Sequence, residues 1–269
     1  MFGELEKGSS RVRVEVFAIG NELCYGRIYD TNSFWIAEQA TQLGAEVQRI
    51  TCVPDDLGVI CGSIKEAMSR GPRLIITTGG LGPTADDLTI EALSKVFNLE
   101  VVPDSKILES MAERRKTPLE QLTPNLVRMA RSLKGAMCLP NPLGWAPVTI
   151  IESDGITIIA LPGPPQEVKA CFAEYLANRI RDTTGCESES RRVVVKMSES
   201  QVSPLTDALM QSIPRTYLKP LVSEYVKEKG LPIDITVFAE NRESCRKKME
   251  ETVRRLGEMV TQKGGSLAV

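Results

Sequence analysis

The N-terminal part of the chain alternates between apolar segments that read as buried strands and segments with helical spacing. Residues 12–19, 45–53 and 74–78 are strand-like, and the apolar residues between them recur every three or four positions. Buried strands alternating with helices require a parallel sheet covered on both faces. Such a sheet places its ligand crevice at the carboxyl ends of its strands. The loops after the first and third strands, residues 20–31 and 79–89, are therefore expected to face that crevice.

The later chain continues the pattern less cleanly. Thr31 or Asn32 can cap a helix that reaches Leu43, and Asp55 can cap the next. Residues 104–132 read as helical, with a break at Thr117-Pro118. Ser153-Asp154-Gly155 separates two apolar runs as a hairpin turn would. The polar stretch 182–190 reads as a linker. Beyond it, strands over 193–197 and 233–239 and helices over 204–213 and from Asn241 onward suggest a small module. The expected fold class is α/β, a three-layer α/β/α domain with a mostly parallel sheet over 11–182. A smaller α+β domain is expected over 190–269.

Composition narrows the chemistry. The 269 residues contain no histidine, which excludes every histidine relay and histidine-ligated metal site. Acids, bases and metal ligands must then be carboxylate, lysine, tyrosine, thiol or backbone, and a hard cation with oxygen ligands is the natural metal. Lys plus Arg number 33 and Asp plus Glu 35, a net −2, so no basic excess is available for nucleic acid or membrane. The seven cysteines contain no C-x-x-C and mostly lie in apolar runs, as small buried hydrophobes do. No apolar segment is long enough to span a bilayer, and the first ten residues lack a signal-peptide core. A cytoplasmic protein with reduced thiols is expected.

Five segments can carry chemistry. The first is Thr77-Thr78-Gly79-Gly80-Leu81-Gly82-Pro83-Thr84-Ala85-Asp86-Asp87-Leu88-Thr89. Its glycines let the backbone approach a ligand and turn N–H groups toward an anion ahead of a helix N-terminus. They also suit a plain tight turn, with Thr84 and Asp87 as a capping box. Asp86 and Asp87 beside such an anion site would repel phosphate unless a divalent cation lay between. The second is Gly20-Asn21-Glu22-Leu23 with Asp30-Thr31-Asn32. The third is Pro54-Asp55-Asp56. The fourth and fifth are the rigid loops Leu139-Pro140-Asn141-Pro142-Leu143-Gly144-Trp145-Ala146-Pro147 and Leu161-Pro162-Gly163-Pro164-Pro165-Gln166-Glu167-Val168-Lys169, which suit either pocket walls or turns.

Taken in order, G-x-E-L-x-x-G-x-x-x-D-T-N, T-G-G-L-G-P-T-x-D-D-L-T, L-P-N-P-x-G-x-A-P and L-P-G-x-P-x-E-x-K resemble the N-terminal domain of the CinA family. That domain belongs to the wider molybdopterin-binding fold. The resemblance covers about residues 12–265 and implies a MogA/MoeA-like domain with a small α+β domain. The nicotinamide-nucleotide deamidase domain of longer CinA chains has no counterpart here, so the standalone form is expected. In the molybdopterin adenylyltransferase branch two aspartates matter, and they match Asp55 and Asp87. That branch carries Arg where this chain has Asp86, a departure that favours the CinA branch.

The CinA branch is associated with metal-dependent hydrolysis of ADP-ribose and related dinucleotide diphosphates. The resemblance thus implies a nucleotide pyrophosphatase. Molybdenum-cofactor chemistry on a pterin and a non-catalytic binding module are the alternatives. Gly20, Gly79, Gly80, Gly82, Thr84, Asn141, Gly163 and Pro165 would bind the ligand. Glu22, Asp86 and Asp87 would hold a divalent metal (Mg, Mn or Co), and Asp55, Asp87 and Lys169 would act in catalysis. The expected partner is a small nucleotide or a pterin such as molybdopterin, and a homo-oligomer is expected.

Overall fold

The computed structural model describes residues 12–226 and 228–268. Residues 1–11, including the start read above for a signal-peptide core and the first residue of the expected 11–182 domain, lie outside the described residues. The described chain divides into two compact units. One comprises residues up to Ala40 with Ala45–Ile180, the other Thr41–Gly44 with the residues from Arg181 onward.

In the first unit, β1 (Arg13–Ile19) is buried at every position after the first. It is followed by α1 (Asn21–Cys24), α2 (Thr31–Gln42), β2 (Glu46–Val53), α3 (Leu57–Ser69), β3 (Leu74–Thr78) and α4 (Thr89–Phe97). Next come β4 (Val101–Pro103), α5 (Ser105–Arg115), α6 (Pro124–Met129), β5 (Arg131–Leu133), β6 (Met137–Leu139), β7 (Val148–Ser153) and β8 (Ile156–Leu161). The helix α7 (Pro165–Cys171) passes through a π-helical turn at Phe172–Leu176 into α8 (Ala177–Thr184).

The sheet order is β2-β1-β3-β8-β7-β6. β2, β1, β3 and β8 run parallel; β7 is antiparallel to both its neighbours. Phe17, Ile75 and Ile158 pack with Ile60, Ile64 and Leu93 of α3 and α4. The alternate positions Val16, Ala18, Ile76 and Ile159 are equally buried on the other face. Strands buried on both sides explain why their sequences run almost without polar residues. Asp154 and Gly155 both take positive φ, the geometry of a hairpin turn that matches strand twist.

One ion pair interrupts this apolar interior. Glu15 of β1 is 1% exposed and accepts two hydrogen bonds, from Arg70 Nε at 2.8 Å and Nη2 at 2.6 Å. Arg70 caps the C-terminal end of α3, so the bidentate pair ties that helix to the central strand.

The second unit holds β9 (Glu187–Val195), α9 (Glu199–Ser212), β10 (Thr216–Pro220), β11 (Leu231–Ala239), α10 (Arg242–Gln262) and β12 (Leu267–Ala268). Its sheet is antiparallel in the order β10-β11-β9-β12. Ile233, Ile235 and Val237 of β11 pack with Leu209 of α9 and Met249 and Leu256 of α10.

Several local readings shift. β9 begins inside the polar stretch read as linker, because one face of the strand is solvated. A reciprocal Ser198–Gln201 capping box starts α9 ahead of Pro204, which lies within the helix rather than at its start. Residues 131–133 leave the helical run to pair with β4.

Candidate functional site

The parallel strands β2, β1, β3 and β8 end at one edge of the sheet, and the loops that follow them enclose a cavity of about 440 Å³. β1 contributes Gly20, Glu22, Asp30, Thr31 and Asn32. β2 contributes Asp55, and β3 contributes Gly79, Gly80, Gly82, Thr84, Asp86 and Asp87. β8 contributes Gly163, Pro164 and Pro165. This is the crevice at the carboxyl ends of the strands.

Gly79 leaves β3 with φ +98°, and a Cβ there would press into the Ile19 carbonyl. The turn can therefore lie flush against the end of β1 only if residue 79 is glycine. Thr89 closes the turn from the far side. Its N–H donates to the Gly80 carbonyl at 3.1 Å and its hydroxyl to the Gly79 carbonyl at 2.8 Å. Gly79→Ala is expected to cost roughly 1–3 kcal/mol through backbone strain. Thermal denaturation checks this; an unchanged melting temperature would show that the turn relaxes without loss.

Thr84 and Asp87 do pair, but within the loop and not as a capping box at the start of α4: the Asp87 N–H donates to the Thr84 backbone carbonyl at 3.3 Å, not to its hydroxyl. The Thr84 N–H donates to Asp87 Oδ2 at 2.7 Å, and its hydroxyl reaches Asp86 and Asp87. The helix α4 begins after Leu88, which makes no side-chain cap. The arrangement fixes both carboxylates at the pocket. The Thr84 hydroxyl holds the Asp86 carboxyl below its ordinary range. Behind the loop, Arg128 Nη2 donates to the Asp87 carbonyl at 3.4 Å.

Capping roles differ from the reading of the sequence at two helices. Asp56, not Asp55, caps α3 by accepting from the Val59 N–H at 2.9 Å. Asp30, not Thr31 or Asn32, accepts from the Ser33 N–H at 2.9 Å at the start of α2. Asp55 is thereby released into the pocket, where its Oδ2 accepts from the Asn21 N–H at 2.7 Å. Asn32 spans the site: its amide donates to Thr78 Oγ1 at 3.1 Å and to the Gly163 carbonyl at 2.7 Å. Capping hid that role in the sequence, although three consecutive polar residues are more than one helix start requires.

Burial, then the carboxylates of Glu22, Asp86 and Asp87, push the Asp55 carboxyl above its ordinary range against the opposing Asn21 hydrogen bond. Its proton is held more tightly in the folded than in the unfolded chain. Ionised Asp55 therefore weakens stability as pH rises through the folded value, and the loss is absent below the unfolded value. Asp55→Asn is expected to raise the melting temperature at neutral pH without divalent metal, and the gain should vanish in acid. A lower melting temperature at neutral pH would contradict this.

Two expected site residues stand apart from the cavity lining. Asn141 is buried and organises its own loop. It donates to the Ala146 carbonyl and to Glu167 Oε2, and accepts from the N–H groups of Leu143 and Gly144. Lys169 places its ammonium 5.7 Å from the centroid of Trp35. Among the described residues, no lysine or arginine lines the cavity, while five carboxylates do. None of the described Cys, Asp and Glu side chains groups in threes closely enough to hold a metal alone. A hard cation would find one or two carboxylates here and would need ligand oxygens to complete its shell, as magnesium commonly does.

The cysteines also depart from the expectation of burial. Cys24 and Cys52 are exposed. Packing around the sulfur, the shared contact with Cys24 and the nearby carboxylates push the Cys52 thiol up to about 12, so it stays protonated.

The family model described as "probable molybdopterin binding domain" matches residues 15–182, more than half of the chain. The chain belongs to that family. It is also CinA-like. A "CinA-like protein" of Thermosipho melanesiensis is 40% identical over 161 residues, 60% of this chain and 40% of that protein. The crystal structure of the protein CinA from Thermoplasma acidophilum, described as of unknown function, aligns with a TM-score of 0.59 at 31% identity. It covers 63% of this chain and 98% of that one. A protein of Pyrobaculum calidifontis is 32% identical over 263 residues, 94% of this chain and 98% of its own length. All described pocket-lining residues lie within the matched 15–182 segment. Among the described residues, no helix is long and apolar enough to cross a membrane.

Proposed function

We propose that the cavity binds the phosphate end of a pterin or nucleotide, molybdopterin-like in character, together with a divalent cation. The observation that carries this is the meeting of the Gly79–Gly82 turn with Glu22, Asp30, Asp55, Asp86 and Asp87 in a cavity lined, among the described residues, by no basic side chain. Its volume, about 440 Å³, suits a small heterocycle with its phosphate. Glycine backbone can approach a phosphate closely, but the surrounding carboxylates oppose it. Magnesium, manganese or cobalt between the two would remove that opposition. Asp86 and Asp87, which meet at the Thr84 hydroxyl, are the side chains that would hold it, with ligand oxygens completing its shell; Glu22 lines the same cavity but does not group with them closely enough to be a third ligand. The family description supports the pterin half of this reading.

A second reading is hydrolysis of a diphosphate such as ADP-ribose, favoured by Asp55. A carboxyl whose proton is held unusually tightly beside a ligand site is suited to accept a proton from attacking water. A bound cation would supply charge neutralisation on the diphosphate oxygens. Lys169 has no part in this version, since its ammonium rests on Trp35.

Incubating the protein with ADP-ribose and with molybdopterin plus ATP, each with magnesium, separates the readings. AMP from ADP-ribose supports hydrolysis, adenylylated pterin supports cofactor chemistry, and saturable binding without product supports a binding module. Failure to bind either ligand would overturn the proposal.

A further inference from the structure

The seven cysteines are unequal. Five are half-buried or buried, whereas Cys24 and Cys52 are exposed, with their sulfurs 3.6 Å apart across 28 residues of sequence. They sit on two elements already pinned to each other. The Gly20 N–H donates to the Val53 carbonyl at 3.0 Å. Asn21 and Asp55 exchange hydrogen bonds, N–H to Oδ2 at 2.7 Å and Oδ1 from N–H at 3.3 Å. Cys24 closes α1 and Cys52 lies one residue before the end of β2, so the sulfurs meet beside contacts that keep them from drifting apart.

A disulfide needs its sulfurs at about 2.05 Å, so roughly 1.5 Å of approach is required. Rotation about the two Cα–Cβ bonds is the motion that would bring the sulfurs together. Solvent access lets an oxidant reach the pair, whereas Cys171, Cys186 and Cys245 are buried and Cys61 and Cys138 half-buried; because Cys52 is held protonated, Cys24 is the thiol the oxidant attacks and Cys52 the one that resolves it. The carboxylates near the pair do not join the thiols in a three-residue group able to hold a metal among the described residues. A covalent link between the sulfurs is therefore favoured over a soft-metal site.

We propose that Cys24 and Cys52 form a reversible disulfide that staples α1 to β2, fixing the wall of the cavity that carries Glu22 and Asp55. The oxidant is a hydroperoxide. One thiol gives up two electrons to the peroxide oxygen, becoming a sulfenic acid and releasing water (or the alcohol of an organic peroxide). The second thiol displaces hydroxide from that sulfur, forms the S–S bond and loses its proton, so a second water leaves. A dithiol reductant reverses the link by exchange and is itself oxidised to a disulfide. The staple closes a 28-residue separation in the unfolded chain, long enough to restrict it substantially. This proposal rests on the two elements and not on the identity of the ligand.

The test uses the full-length protein treated with hydrogen peroxide, then digested with trypsin. Tryptic peptides 14–27 and 50–65 are expected as one linked species lighter than their sum by two hydrogens. Because peptide 50–65 also contains Cys61, fragment ions must place the link at Cys52. The oxidised protein is expected to melt roughly 5–10 °C higher. Dithiothreitol should reverse both effects, and Cys52→Ser should lose both. If Cys52→Ser folds poorly, Cys24→Ser at the exposed end of α1 gives the same comparison. A link to Cys61, oxidation to sulfinic or sulfonic acid without a link, or a link with no rise in melting temperature would each overturn the proposal.

Discussion

Asp87→Asn is expected to weaken magnesium-dependent binding of ADP-ribose or pyrophosphate at least about tenfold, a differential of about 1.4 kcal/mol. Two observations set this expectation. The Asp87 carboxylate is held at the cavity by the Thr84 N–H and hydroxyl, so its position does not depend on a ligand. The cavity lacks a lysine or arginine among its described lining residues, so a phosphate there depends on a cation that the carboxylates retain. An asparagine oxygen can still accept from the Thr84 N–H, so the loop should persist, with a stability loss within the about 0.5–2 kcal/mol of a lost cap. Titration calorimetry reads the affinity and thermal denaturation reads the fold. Wild-type affinity in the variant would remove Asp87 from the site. A large fall in melting temperature with unchanged affinity would make its role one of loop structure alone.

Arg70→Ala is expected to cost about 3–5 kcal/mol of stability, the effect of leaving a buried charge without its partner. Glu15 is 1% exposed on the central strand, and Arg70 provides both of its hydrogen bonds shown by the structure. Exposed pairs on α10, such as Arg246 with Glu250, should by contrast contribute well under about 1 kcal/mol. Urea denaturation of Arg70→Ala checks the first figure. The paired replacement of Glu15 and Arg70 by leucine should recover most of the loss, because two apolar groups leave no charge unpaired. A loss below about 1 kcal/mol in the single variant would show that water takes the place of the Arg70 guanidinium at Glu15.

The fold was legible wherever burial on both faces left a continuous apolar run. β1, β3 and β8 stand almost where their sequences place them, and Asp154-Gly155 forms the hairpin turn expected of it. Half-exposed strands were harder: β9 looks like a linker because its outward residues are polar, and β10 has a single fully buried position, Leu218. Short pairings such as β4 with β5 depend on partners distant in sequence, which local spacing does not encode.

At the site, the glycine turn and its two aspartates were readable because glycine, threonine and aspartate each have a strong local preference. The exchange of roles between Asp55 and Asp56 was not. Both can cap a helix, and only the contact between Asn21 and Asp55, 34 residues apart, decides which one does. Asn141 and Lys169 carry motif positions, but one shapes its own loop and the other rests on an aromatic ring. Motif membership alone does not distinguish a residue that lines a cavity from one that supports its wall.

The central claim is that a cation joins the acidic rim of the cavity to the phosphates of its ligand. Calorimetric titration of ADP-ribose into the wild-type protein, once with magnesium and once with EDTA, tests it most directly. The account predicts at least about tenfold weaker binding in EDTA, about 1.4 kcal/mol. Equal affinity in the two conditions would contradict it. The glycine turn would then bind the anion directly, and Asp86→Ala would strengthen binding by removing a repulsive neighbour.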